Sequence, residues 1–199
     1  MIKLFEEYND IVSICDQYGI ENYTINPDGS IDVNGGMNLN FNGRKLDRLP
    51  LKFGRVNGNF YCSHNKLTSL EGCPSYVGGN FYCSHNKLTT LEGCPSYVGR
   101  YFSCSHNQLT SLEGGPKEVG SGFSCNNNKL TTLKGGPKEV GVNFDCSYNP
   151  LPDLIIKNNK YIKDILRYQD DYSIWNIDGS LNEYRFKDMM IEIKGMKDD

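Results

Sequence analysis

The chain has 199 residues, a net charge of −3 and 38% hydrophobic residues, which fits one ordinary domain or a short repeat array and makes a two-domain enzyme a poor match. By region the charge is −2 over 1–57, zero over 58–154 and −1 over 155–199, so no segment offers the cationic field that phosphate binding needs, and nucleic acid is not an expected partner. No stretch approaches the ~20 apolar residues of a membrane span.

At the N-terminus, "MIKLFEEYNDIVSICDQYGI" carries acids where a signal peptide would need a cationic start and an apolar run, so a cytoplasmic protein is expected. Phe5, Tyr8, Ile11, Val12, Cys15 and Tyr18 fall at helical spacing over residues 2–18. "INPDGSIDV" then reads as a hairpin turning at Pro27-Asp28-Gly29. Helix and hairpin together (1–36) are predicted to cap the array that begins after them.

From Gly58 the sequence repeats every twenty-one residues: 58–78, 79–99, 100–120, 121–141, and a last unit from Val142 that escapes at Pro150-Leu151-Pro152. Phe recurs at 60, 81, 102, 123 and 144, Cys at 62, 83, 104, 125 and 146, and Asn at 65, 86, 107, 128 and 149. Leu67, Leu70 and Val77 recur with them. A degenerate earlier unit fits the frame through Leu39, Phe41, Leu46, Leu49 and Val56, giving an array over 37–154. A unit this short hides about five apolar side chains, worth ~1.5–3 kcal/mol each, against an ordering cost of roughly 1.5 kcal/mol per residue. One coil fails alone, and stacked coils succeed by sharing buried faces and pairing backbones in parallel.

Within each unit Phe60-Tyr61-Cys62 alternates as a strand, with Phe60 and Cys62 inward and Tyr61 and Ser63 outward. Asn65 sits at a bend, where its amide can satisfy backbone groups of its own and adjacent coils. Gly72 to Pro74 bends the chain back. The predicted fold class is a β-rich solenoid with one parallel strand per coil, an α/β N-terminal cap and a helical C-terminal cap over 155–199. In that last part Ile155, Tyr161, Ile162, Ile165 and Leu166 suggest one helix. Ser180 and Glu183 form a capping box opening a second, with Phe186, Met189, Met190 and Ile193 on one stripe and Gly195 as its stop. Trp175 is expected to anchor the link.

The frame F-x-C-x-x-N-x-L-x-x-L resembles the leucine-rich repeat, with Phe and Cys in the strand positions. "LTSLEGCP" is most similar to the short, helix-poor bacterial and viral class. "YTINPDGSIDV" followed by "LPLKFGRVNGNFYCSHNKLTSLEGCP" resembles leucine-rich-repeat proteins of large tailed bacteriophages. The resemblance covers roughly residues 20–154 and implies a fold more than an activity. Short-repeat bacterial effectors attach a large ubiquitin-ligase domain, which the 45 residues after the array cannot supply.

Cys-Ser-His at 62–64, 83–85 and 104–106 raises zinc binding and thiol catalysis. Zinc needs four ligands converging at ~2.0–2.3 Å, whereas a strand sends sulfur into the core and imidazole to the rim. A nucleophilic pair needs base and thiolate in contact, and an enzyme rarely writes its site three times in adjoining coils. No catalytic residue, metal or cofactor is therefore expected. The histidines are expected to stack roughly 5 Å apart. In a reducing cytosol all eight thiols would be free, with a Cys73–Cys94 disulfide conceivable only on isolation in air.

While interior positions repeat, outward ones drift. Tyr61 and Tyr82 become Ser103, and His64, His85 and His106 give way to Asn127. The strand face is thus free to encode a surface, and Asn59, Tyr61, Ser63, His64, Asn80, Tyr82, Ser84, His85, Tyr101, Ser103, Ser105 and His106 are the expected partner-binding residues. Shared descent of duplicated coils explains the same letters without any partner. Tyr76 and Tyr97, replaced later by Glu118 and Glu139, mark a secondary edge. The expectation is a non-enzymatic scaffold that binds a protein, of the host bacterium if phage-encoded. The alternatives are a structural or virion-associated component and a metal or redox protein using the Cys and His ladders. Oligomeric state is left open by the residues.

Overall fold

The computed structural model describes residues 2–40 and 45–198, with side chains from Tyr8 to Lys197. Phe41 and the side chain of Phe5 lie outside the described residues. Helix α1 (Ile2–Tyr18) leads into an antiparallel hairpin of β1 (Tyr23–Ile25) and β2 (Ile31–Val33). Ile11, Cys15 and Ile20 are buried in the same hydrophobic cluster as the coils, and Tyr8 is exposed.

The chain then winds as a β-solenoid of about five turns. Each turn contributes two strands where one was expected. The first set is β3 (Met37–Asn38), β5 (Phe60–Tyr61), β7 (Phe81–Tyr82), β9 (Phe102–Ser103), β11 (Phe123–Ser124) and β13 (Phe144–Asp145), a parallel sheet of six. The second set is β4 (Phe53–Val56), β6 (Tyr76–Val77), β8 (Tyr97–Val98), β10 (Glu118–Val119) and β12 (Glu139–Val140); with the hairpin it makes a sheet of seven, β2 pairing with β4. The second strand exists because Gly72, at φ +85°, turns the chain into an extended Tyr-Val pair, and the Gly78 N–H reaches the Val56 carbonyl at 2.9 Å.

Phe60, Phe81, Phe102, Phe123 and Phe144 stack along the axis with ring centroids 4.7–5.5 Å apart. The column follows from parallel pairing in register, Phe opposite Phe and Val opposite Val. Leu67, Leu88, Leu109 and Leu130 are fully buried beside it. Asn65, Asn86, Asn107, Asn128 and Asn149 form the expected ladder: Asn86 donates to the carbonyls of Cys62 and Cys83, both at 3.0 Å, and accepts from Leu67 N–H at 3.1 Å.

One register differs from expectation. Met37 occupies the phenylalanine place and Leu39 the cysteine place, opposite Phe60 and Cys62, because the first turn is two residues longer before it rejoins the frame at Leu46 and Val56. After the coils, the single helix expected from Ile155 to Leu166 is divided into α2 (Asp153–Lys157), a 3-10 turn (Asn159–Tyr161) and α3 (Ile162–Tyr168). Asn158 causes the break, its amide donating back to the Leu154 carbonyl at 2.8 Å. Helix α4 (Glu183–Asp198) is capped by Asn182, whose Oδ1 accepts from Arg185 N–H at 3.1 Å. Ser180 instead donates to Asp178. The helix runs through Gly195, its last turn held by Lys197 on Asp164 at 2.6 Å. Phe186, Met189, Met190 and Ile193 are buried as expected, and Trp175 Nε1 donates to buried Gln169 at 2.6 Å. Among the described residues no helix is long and apolar enough to cross a membrane.

Candidate functional site

The outer face of the six-stranded sheet holds a shallow groove of about 520 Å3 that runs across the coils. Nine of the twelve expected residues line it: Tyr61, Tyr82, His64, His85, His106 and the serines Ser63, Ser84, Ser103 and Ser105. Asn59 and Asn80 lie beside it and are engaged with backbone, Asn59 Oδ1 accepting from Asn80 N–H at 2.8 Å and Asn80 Oδ1 from Tyr101 N–H at 3.0 Å.

Ring geometry sets what this face can offer. Tyr61 and Tyr82 lie 5.3 Å apart, and Tyr101 continues the stack at 5.8 Å from Tyr82, its ring lying against Gly122 of the next coil. His64, His85 and His106 stack at 4.4 and 4.2 Å, with interplanar angles of 11°. At the centre of each stack, Tyr82 and His85 have a neighbouring ring on both faces and turn their edges to solvent. A base or a sugar ring seeks a free aromatic face; the centre of this surface presents N–H, O–H and ring-edge hydrogens instead.

The histidines have a further reason to be there. His64, His85 and His106 sit at φ +59°, +55° and +55°, and their column continues as Asn127 and Tyr148 at +53° and +54°. Left-handed backbone favours His and Asn among residues with a side chain. Burial, and then the neighbouring rings of His106 and His64, hold His85 below the ordinary imidazole value. Tyr82 is pushed up by burial and then by Tyr61 and Tyr101.

Ser63, Ser84, Ser103 and Ser105 point to this face yet are buried, because short hydroxyls lie below the level of the rings. Their oxygens link the coils: Ser84 with Ser103 at 2.7 Å, Ser103 with Ser105 at 3.4 Å, and Ser105 with Ser124 at 2.8 Å. Asn126 closes the chain, donating to Ser124 at 3.2 Å and to Asp145 at 2.6 Å. Burial raises Asp145, but bonds from Asn126 and Ser147 outweigh it and hold the carboxyl below its usual range. Asn126 and Asn40 also line the groove and were missed by sequence reasoning. Asn126 shares the column of Ser105, a signal already in the repeat, whereas Asn40 is hidden by the two-residue shift of the first turn.

Charge is divided around the coil. The stretches 57–70, 78–91, 99–112 and 120–133, which carry this face, hold Lys66, Lys87, Arg100 and Lys129 and no carboxylate. On the other sheet, Arg55 lies 3.5 Å above the Tyr76 ring, and Tyr76 stacks on Tyr97 at 5.1 Å.

The thiols point into the core. Burial pushes Cys83, Cys104 and Cys125 far up, and Cys146 up to about 11, which keeps them protonated. Among the described residues no three His, Cys, Asp or Glu side chains come together as a metal site. Comparison with protein-family models, with curated proteins and with solved structures finds no match.

Proposed function

We propose that the protein is a non-enzymatic binding scaffold whose six-stranded face engages another protein. The observation that carries this is the register of the two ring stacks: the edges of Tyr61, Tyr82, Tyr101 and of His64, His85, His106 form parallel rows on a backbone paired at every coil. Rows preorganised in this way lose little freedom on binding. The covered faces of the central rings Tyr82 and His85 and the absence of carboxylates from the surrounding stretches favour a partner that offers acceptors, such as a polypeptide edge with carbonyl and carboxylate oxygens.

The repeat frame and its resemblance to phage leucine-rich-repeat proteins support a phage-encoded factor acting on a host bacterial protein in the cytoplasm. In this reading α1 with its hairpin, and α2 to α4, serve as caps for the apolar ends of the array.

The test is capture from host lysate by the wild type and by a variant carrying Tyr61→Ala, Tyr82→Ala and His85→Asn, the asparagine tolerating the left-handed backbone. A photo-crosslinking group at position 82 or 118 identifies the face. Loss of capture in the variant, with crosslinks from 82 and none from 118, is expected. Equal recovery by both proteins would move the interface elsewhere.

A further inference from the structure

In every coil before the last, the phenylalanine and cysteine N–H groups point toward the next coil. Phe60, Phe81, Phe102 and Phe123 donate to Asn80, Tyr101, Gly122 and Asn143 at 2.8–2.9 Å, and Cys62 to Cys125 do likewise to Tyr82, Ser103, Ser124 and Asp145. Phe144, in the terminal strand β13, and Cys146, just after it, hold these places, and among the described residues β13 pairs with β11 and with no strand on its other side. The two N–H groups therefore face a position where the next coil would lie. Helix α3 packs on β12, the end of the other sheet.

Beside this edge lies a cleft of about 390 Å3 between the last coil and the helices. Val142, Asn143 and Phe144 form one wall; Lys138, Lys160, Lys163, Arg167 and Lys197 supply five cations against one carboxylate, Asp164. Asp164 is already held by Lys197 at 2.6 Å. Lys138, Lys163 and Arg167 have no ion-pair partner among the described residues. Lys160, Lys163 and Arg167 belong to one basic stretch, 157–167, and the fold brings Lys138 and Lys197 to it from separate segments.

We propose that the β13 edge and this cleft form one docking site for an extended acidic peptide segment, which adds a strand to β13 while its carboxylates meet the lysine and arginine wall. Two N–H groups two residues apart along a strand are spaced by about 6.6 Å, which matches carbonyls i and i+2 of an extended chain and exceeds the span of a single phosphate or carboxylate. Exposed Val142 offers an apolar contact for alternate side chains. Asp145, the acid on the same strand, is turned to Asn126 and Ser147 and leaves the Phe144 end to the cations. Strand addition supplies backbone affinity, and the charges supply selectivity.

The test uses the full chain and an eight-residue peptide of alternating glutamate and valine, with its lysine–valine counterpart and a copy N-methylated along one edge. Titration followed by amide NMR should move the Phe144 and Cys146 signals and slow their hydrogen exchange. The double reversal Lys163→Glu, Arg167→Glu should weaken binding about tenfold or more. Equal binding of the lysine peptide or the N-methylated copy, indifference to the double reversal, or no binding at about 1 mM would overturn the proposal. The cations would then only keep the open edge from self-pairing.

Discussion

Asn107 ties two adjacent coils together: its Oδ1 accepts from Leu88 N–H at 3.0 Å, while its Nδ2 donates to the carbonyls of Cys83 in the same preceding coil at 3.1 Å and of Cys104 in its own at 3.0 Å. The whole arrangement is buried, so removing the amide leaves donors and acceptors without water. Asn107→Ala should cost about 2–4 kcal/mol, from one or two orphaned backbone groups. Asn107→Asp should not restore it, since a carboxylate accepts but cannot donate. Urea unfolding at neutral pH checks both; a loss under about 0.5 kcal/mol would show that the ladder is not a source of stability.

Gly99 sits where backbones of adjacent coils approach most closely. A Cβ there would overlap the Gly78 carbonyl oxygen, and Gly78, Gly120 and Gly141 repeat the same contact. Because the obstacle is paired backbone, Gly99→Ala should destabilise by about 1–3 kcal/mol or more. Gly195, in the exposed last turns of α4 with open space around it, should behave in the opposite sense, Ala stabilising by roughly 0.5–1 kcal/mol. Thermal unfolding of the two variants reads the opposite signs directly.

The central imidazole provides a pH test. His85 is held below its ordinary value of 6.5 by burial and by His106 and His64, so the folded state favours its neutral form. Its contribution to stability is present above pH 6.5 and is lost as pH falls through the lowered folded value. His106→Asn removes one neighbouring charge and keeps a residue suited to left-handed backbone; NMR titration should then show His85 moving upward. An unchanged His85 would mean that burial alone sets it.

Thiol chemistry separates buried from accessible sulfur. At pH 8 a disulfide reagent should modify Cys83, Cys104 and Cys125 slowly in the folded protein, since burial both blocks access and raises their values. Burial and Glu92 push the Cys94 thiol far up as well, but it is only partly buried and lines a surface pocket, so access should make it react before these three. In denaturant all eight cysteines should react. Fast labelling of Cys83 in the native state would contradict an inward-facing column.

The repeat made the stack legible, because a twenty-one-residue period leaves each side chain a single type of neighbour. Phe60 beside Phe81 and Asn65 at the bend follow from that alone. Less could be read where a residue serves two demands. His64 reads as a surface choice, yet its φ of +59° also constrains the position, and Asn127 in the same column was the available signal. Ser63 reads as exposed from alternation, but its depth depends on the size of the rings around it.

The linear order of residues thus determined the solenoid, its inward phenylalanine and cysteine columns and its asparagine ladder, since local alternation and exact repetition are properties of the chain itself. Only tertiary structure decided that a second strand forms in each coil, that the first turn runs two residues long, and that Lys138, Lys163, Arg167 and Lys197 meet beside the open edge of β13. These depend on how the coils close and on where the helices come to rest against the last one, and charge scattered along a sequence acquires a field only when folding brings it together.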